Sequence, residues 1–151
     1  MKLQAELKQT KPFVSLREEA LLSLWRTADV LDAPLQQLFK SHGISRTQYN
    51  VLRILRGAGK SGIPSGEIAG RMLTRDPDVT RLIDRLERAS LATRSRSASD
   101  RRIILVRISA NGMKLLGRLD HPVLRVIEQT LGHVKDSRLR TLIRLLEELR
   151  Q

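Results

Sequence analysis

Ten arginines and no lysine stand between positions 71 and 107: Arg71, Arg75, Arg81, Arg85, Arg88, Arg94, Arg96, Arg101, Arg102 and Arg107. Five acids share the stretch, Asp76, Asp78, Asp84, Glu87 and Asp100. A guanidinium is a permanently charged planar fork whose N–H pairs match phosphate oxygens and the O6/N7 edge of guanine. Asp78, Arg81, Arg85 and Arg88 fall at i, i+3, i+7 and i+10, which places them on one face if the segment is helical. One reading is a solvated face laced by its own salt bridges. Against it, Arg81 and Arg85 stand at i,i+4, where like charges slightly destabilise a helix. The cluster also continues into Arg94, Arg96, Arg101 and Arg102. A shared anionic ligand relieves both, and duplex DNA is the expected one.

Other chemistries find little support. Cysteine is absent, which removes disulfides, thiolate metal sites and thiol nucleophiles. His42, His121 and His133 form no H-x-x-H or H-x-x-x-H pair, so neither metal nor cofactor is expected. Ser45 and Ser65 read as helix starters, and nothing resembles a nucleophile elbow or a phosphate-binding glycine loop. No enzyme activity is expected.

The elements that must position the arginines follow from composition and period. The 151 residues are 40% hydrophobic with only four aromatics, Phe13, Trp25, Phe39 and Tyr49, so the core is expected to be aliphatic and helical. The net charge of +12 favours a polyanionic partner over self-aggregation. No apolar run approaches the roughly 20 residues of a membrane span, and the start lacks a signal-peptide core, so a cytoplasmic location is expected.

Residues 1–12 are polar and read as an arm or a frayed helical start. From 13 to about 41, Leu16, Ala20, Leu24, Ala28, Leu31, Leu35 and Phe39 recur at helical spacing, with Pro34 expected to bend or interrupt the run. A second helix opens at the capping box formed by Ser45 and Gln48 and closes at Gly57 and Gly59. A third covers 65–72, burying Ile68, Ala69 and Met72. A fourth starts with Asp76 as cap and Pro77 in the first turn, turns Val79, Leu82, Ile83 and Leu86 inward, and ends near 89. Residues 91–96 and 101–108 are β-compatible around a small polar link, with Leu105 breaking the alternation. Helical spacing returns after Ser109 through Leu116, Leu119, Val123, Ile127, Leu131 and Val134, with a kink expected from Pro122. A last helix uses Leu139, Leu142, Ile143, Leu146 and Leu149. Three compact helices and a hairpin make a winged helix-turn-helix. The flanking helices carry more apolar surface than one chain can cover, which points to self-association. Trp25 is expected to pack at such an interface rather than line a ligand cleft.

Two stretches carry a family resemblance. Residues 78–87 (DVTRLIDRLE) resemble the recognition helix of the MarR family, and residues 100–112 (DRRIILVRISANG) resemble its wing signature, D-x-R followed by an apolar strand, Ser/Thr and Gly. The resemblance covers about 45–112. It implies a dimer formed by the first and last two helices, with two winged lobes. It also implies a fourth helix entering the major groove, Arg81 and Arg85 in or beside that groove, Arg102 in an adjacent minor groove, and Asp100 orienting Arg102. Asp78 departs from the family, which often has a small hydroxyl residue there; the acid either accepts from cytosine N4 or repels phosphate.

The expected architecture is therefore mainly α with a small β-hairpin wing. It divides into an arm (1–12), a dimerisation helix (13–44), a winged helix-turn-helix lobe (45–108) and C-terminal dimerisation helices (109–151). The candidate DNA-contact set is Arg75, Asp78, Thr80, Arg81, Arg85, Arg94, Arg96, Asp100 and Arg102. The expected partners are a near-palindromic double-stranded operator, a second copy of the chain and, by resemblance, a small aromatic or phenolic effector acting on a repressor. The competing reading is a constitutive architectural or RNA-binding protein without operator specificity.

Overall fold

The computed structural model describes residues 2–74 and 78–151. Its elements run α1 (Leu3–Glu6), α2 (Leu16–Ser41), α3 (Arg46–Ala58), a 3-10 turn (Gly59–Ser61), β1 (Ile63–Pro64), α4 (Ser65–Arg71), α5 (Val79–Arg88), β2 (Ala92–Arg96), β3 (Ile104–Ile108), α6 (Ala110–Leu131) and α7 (Asp136–Glu148). The polar N-terminal stretch thus contains one helical turn, with Leu3 buried and Glu6 3.7 Å from Arg26 on α2.

Local chemistry sets most boundaries. Ser15 caps α2 by accepting from the Glu18 N–H at 3.1 Å. Ser45 and Gln48 form a reciprocal capping box on α3, satisfying two free backbone donors. Gly59 ends α3 with φ +64, where a side chain would be strained. α2 continues through Pro34 and α6 through Pro122, so neither proline interrupts its helix. The expected cap of the next helix, Asp76 with Pro77, lies outside the described residues. Among the described ones α5 begins at Val79 with Asp78 as its cap.

The core is aliphatic. Val51, Leu52 and Leu55 from α3, Ile68 from α4, Leu82, Ile83 and Leu86 from α5, Val106 from β3, and Leu116 and Leu119 from α6 form one buried cluster with Phe39. Phe39 stacks on Tyr49 at 4.3 Å between ring centroids, joining α2 to α3. Ala69, expected inside, is exposed, because α4 turns only Ile68 fully into the core.

The sheet has three strands rather than the expected two, in order β1-β3-β2 and antiparallel throughout. Ile63 pairs with Val106 and Pro64 with Leu105. A proline has no N–H to donate, and at this edge position none is needed. β1 thereby ties the start of α4 to the hairpin. β2 and β3 pair from Ala92↔Ile108 to Arg96↔Ile104, leaving 97–103 as the tip.

α6 packs on α2 and α3, whereas α7 buries none of its residues. Leu16, Trp25 and Val30 on α2, Leu124 and Ile127 on α6, and Leu142, Ile143, Leu145 and Leu149 at α7 are all exposed. No described helix is long and apolar enough to cross a membrane.

Candidate nucleic-acid interface

The interface is built on α5, whose residues divide into three faces. Leu82, Ile83 and Leu86 are buried against the core. Asp78, Arg81, Arg85 and Arg88 lie on the outer face, where Arg81, Arg85 and Arg88 are exposed. Thr80, Asp84 and Glu87 form the third face, spaced i, i+4 and i+7, and this one meets the hairpin.

The residue that joins α5 to the hairpin is Arg94 on β2. Its Nη1 donates to the Asp84 carboxylate at 2.5 Å and to Glu87 at 3.0 Å, and its Nη2 donates to the Thr80 carbonyl at 3.2 Å. Arg94, one of the expected DNA contacts, thus makes three hydrogen bonds within the chain. Thr80 enters this arrangement through its main chain. Sequence gave no sign of this clamp, since each partner alone reads as a surface charge; only the 80/84/87 spacing hinted at a shared face.

Asp78 caps α5 through its Oδ1, which accepts from the Arg81 N–H at 3.1 Å, and its Oδ2 lies 2.9 Å from Arg81 Nε. The anionic cap also suits the partial positive charge of a helix N-terminus. Thr47, absent from the sequence-derived set, lines a shallow depression with Asp78, Arg81 and Arg85, bringing the start of α3 beside the outer face of α5.

At the hairpin tip Asp100 does not pair with the Arg102 guanidinium. Its Oδ1 accepts from the Arg102 backbone N–H at 2.9 Å, while Ile103 N–H donates to the Asp100 carbonyl at 3.0 Å. The carboxylate shapes the turn, and the expected side-chain orientation becomes a backbone one. Among the described residues Arg85, Arg88, Arg96, Arg101 and Arg102 enter no ion pair, leaving their charge directed to solvent. Arg75 lies outside the described residues. Arg107 serves the fold: its Nε donates to the Lys60 carbonyl at 2.8 Å, and its Nη1 meets Ser95 Oγ.

The hairpin is fixed to α6 as well. Ser109 caps α6 by accepting from the Gly112 N–H at 3.0 Å and donates to the Ser90 carbonyl at 2.6 Å. Gly112 sits so close to Leu91 that an added Cβ would meet the Leu91 carbonyl oxygen at 2.3 Å. This gives the glycine of the wing signature a physical reason.

A helical triad carrying an exposed cationic helix, followed by a hairpin clamped beside that helix, defines the winged helix-turn-helix class of DNA-binding proteins. Comparison with known proteins narrows the class. The sequence pattern of the MarR family matches residues 44–104. A MarR transcription factor of known structure from Planctomyces limnophilus is 42% identical, with a TM-score of 0.69 over 90% of this chain and 98% of that one. BpsR of Bordetella bronchiseptica, whose DNA binding is regulated by 6-hydroxynicotinic acid, shares the fold at 22% identity, with a TM-score of 0.76 over 89% of this chain and all of that one. The transcriptional regulator MhqR of Bacillus subtilis is 32% identical over 82 residues, 53% of this chain and 55% of MhqR, so the match spans about half of that relative. The chain belongs to the MarR family of transcriptional regulators.

Proposed function

We propose that the protein is a sequence-specific repressor that binds a near-palindromic operator as a homodimer and is released by a small ligand. The observation that carries this reading is the outer face of α5. Arg81, Arg85 and Arg88 are exposed together on a helix backed by the core, beside a wing whose tip presents Arg101 and Arg102. In this reading α5 enters the major groove, Arg102 reaches a minor groove, and Arg96 meets phosphate. Arg75 completes the set, and Arg94 and Asp100 shape the surface without touching DNA.

The exposed apolar residues of α2, α6 and α7 supply the dimer surface, dividing the chain into dimerisation helices (13–44 and 109–151) around a lobe (45–108). Trp25, 64% exposed in the single chain, would be covered there. A cleft of about 690 Å³ between α4, α5 and the wing, lined by Val79, Ile83, Ile104 and Arg96, offers an apolar wall and a cation to a small aromatic acid. BpsR's regulation by such an acid supports an effector of that class. Binding there would favour one arrangement of helix and wing over another. The setting is cytoplasmic and the role non-enzymatic.

Selecting bound fragments from genomic DNA tests the reading. A regulator recovers a shared near-palindrome, with half-sites about 10 base pairs apart and preferred roughly 10³-fold or more over random duplex. Its log K falls by about 0.9 per phosphate contacted for each unit of log[salt]. Fragments without a common sequence, bound with equal affinity, would instead indicate an architectural protein. A stable monomer at micromolar concentration by sedimentation would remove the dimer.

A further inference from the structure

We propose that Asp78 is a positioning residue that makes Arg81 a guanine reader; the inference rests on the proposed entry of α5 into the major groove. Asp78 Oδ2 stands 2.9 Å from Arg81 Nε, and its Oδ1 accepts from the Arg81 N–H at 3.1 Å. One carboxylate thus accepts from the arginine's backbone and forms an ion pair with its guanidinium. The ion pair draws the inner nitrogen of the guanidinium toward its own helix, and the two terminal amino groups carry four N–H donors. The Arg81 side chain is 78% exposed, so that outer edge is available as a rigid fork.

Three candidate ligands compete for such a fork. Guanine offers two acceptors, O6 and N7, on one major-groove edge, whereas adenine sets a donor beside N7 and cytosine presents a donor. Phosphate also accepts a fork. A phosphate bound there would lie near the Asp78 carboxylate, however, and be repelled by it. Arg85, one turn further on and without an ion pair among the described residues, suits phosphate better. Guanine is the ligand that uses the fork without needing the charge.

The test uses the full-length protein and a duplex selected from a randomised library, with 7-deazaguanine, which lacks the N7 acceptor, placed at each guanine in turn. Wild type is expected to lose roughly 5- to 150-fold at one guanine per half-site, the range of a good bidentate base contact. Arg81→Ala should lose affinity on the natural duplex but no more on the 7-deaza duplex at that position. Asp78→Asn keeps a good N-cap residue while removing the charge that holds Nε. It should retain the wild-type melting temperature and salt slope, yet prefer guanine over adenine several-fold less at that one position. Equal 7-deaza losses in wild type and Arg81→Ala would overturn the assignment of Arg81. Full discrimination in Asp78→Asn would reduce Asp78 to a cap. A library that yields no shared sequence would instead remove the proposed function, and this inference with it.

Discussion

Arg56 on α3 and Asp120 on α6 face each other fork to fork, with Nη1 to Oδ2 at 2.8 Å and Nη2 to Oδ1 at 2.9 Å. The pair bolts the DNA-facing lobe to the long helix behind it. The hydrogen bonds from Arg56 hold the Asp120 carboxyl below its ordinary range, and Asp120 raises Arg56 in return. A carboxyl depressed on folding stabilises the native state above its unfolded pKa, near 4, and that contribution is lost as pH falls through the folded value.

Asp120→Asn is therefore expected to melt below wild type at pH 7 and to converge with it as pH drops below about 4. Both side chains are partly exposed, so solvent screening limits the contribution to about 0.5–1 kcal/mol. For a chain of this size that is a few degrees at most. Melting curves from pH 7 to pH 3 check it; a gap that stays constant across that range would mean that the ion pair contributes nothing.

Gly112→Ala tests the joint between wing and α6. The added methyl would sit 2.3 Å from the Leu91 carbonyl oxygen and 2.7 Å from Ile108 Cγ1. The first of these is backbone and cannot rotate away, so the helix start must shift. Overpacking of this kind costs about 1–3 kcal/mol. A melting temperature within a degree of wild type would show that α6 re-seats freely.

Much of this frame was legible in the sequence wherever it depends on neighbours along the chain. The capping box of Ser45 and Gln48, the return of helix after Ser109 and the inward Leu82, Ile83 and Leu86 each rest on residues within a turn or two of one another. What escaped depends on distant partners. β1 is two residues long and becomes a strand only because β3 passes beside it. Arg94 looks like one more surface cation until Asp84, Glu87 and the Thr80 carbonyl are brought around it.

At the wing tip, Asp100→Asn and Asp100→Ala should part company. Asparagine keeps the side-chain oxygen that accepts from the Arg102 N–H, so the turn survives and DNA affinity stays near wild type. Alanine removes the acceptor, loosening the tip at a cost of about 0.5–1.5 kcal/mol. Arg102→Ala should weaken binding more than either, most strongly where the flanks are A/T-rich and the minor groove is narrow. An Asp100→Asn protein as impaired as Asp100→Ala would show that charge, not turn geometry, is what Asp100 contributes.

Arg94→Ala gives the sharpest test of how helix and wing work as one surface. Removing the guanidinium frees the hairpin from α5 and leaves Asp84 and Glu87 without their cation on the side that faces the wing. Hydrogen bonds to charged partners carry more than neutral ones, but all three side chains are partly exposed, so a loss of about 1–2 kcal/mol of stability is expected. DNA affinity should fall as well, because the tip that carries Arg102 is no longer held beside α5. The two explanations for lost affinity separate in a double-mutant cycle. If Arg94 acts by positioning the wing, Arg102→Ala costs much less in the Arg94→Ala background than in wild type, and the two losses fail to add. If Arg94 meets a phosphate of its own, the losses add to within a few tenths of a kcal/mol, and the salt slope drops by about 0.9 for that contact. Binding isotherms of the four proteins on one selected duplex, at two salt concentrations, decide between them. Additive losses would return Arg94 to the DNA-contact set.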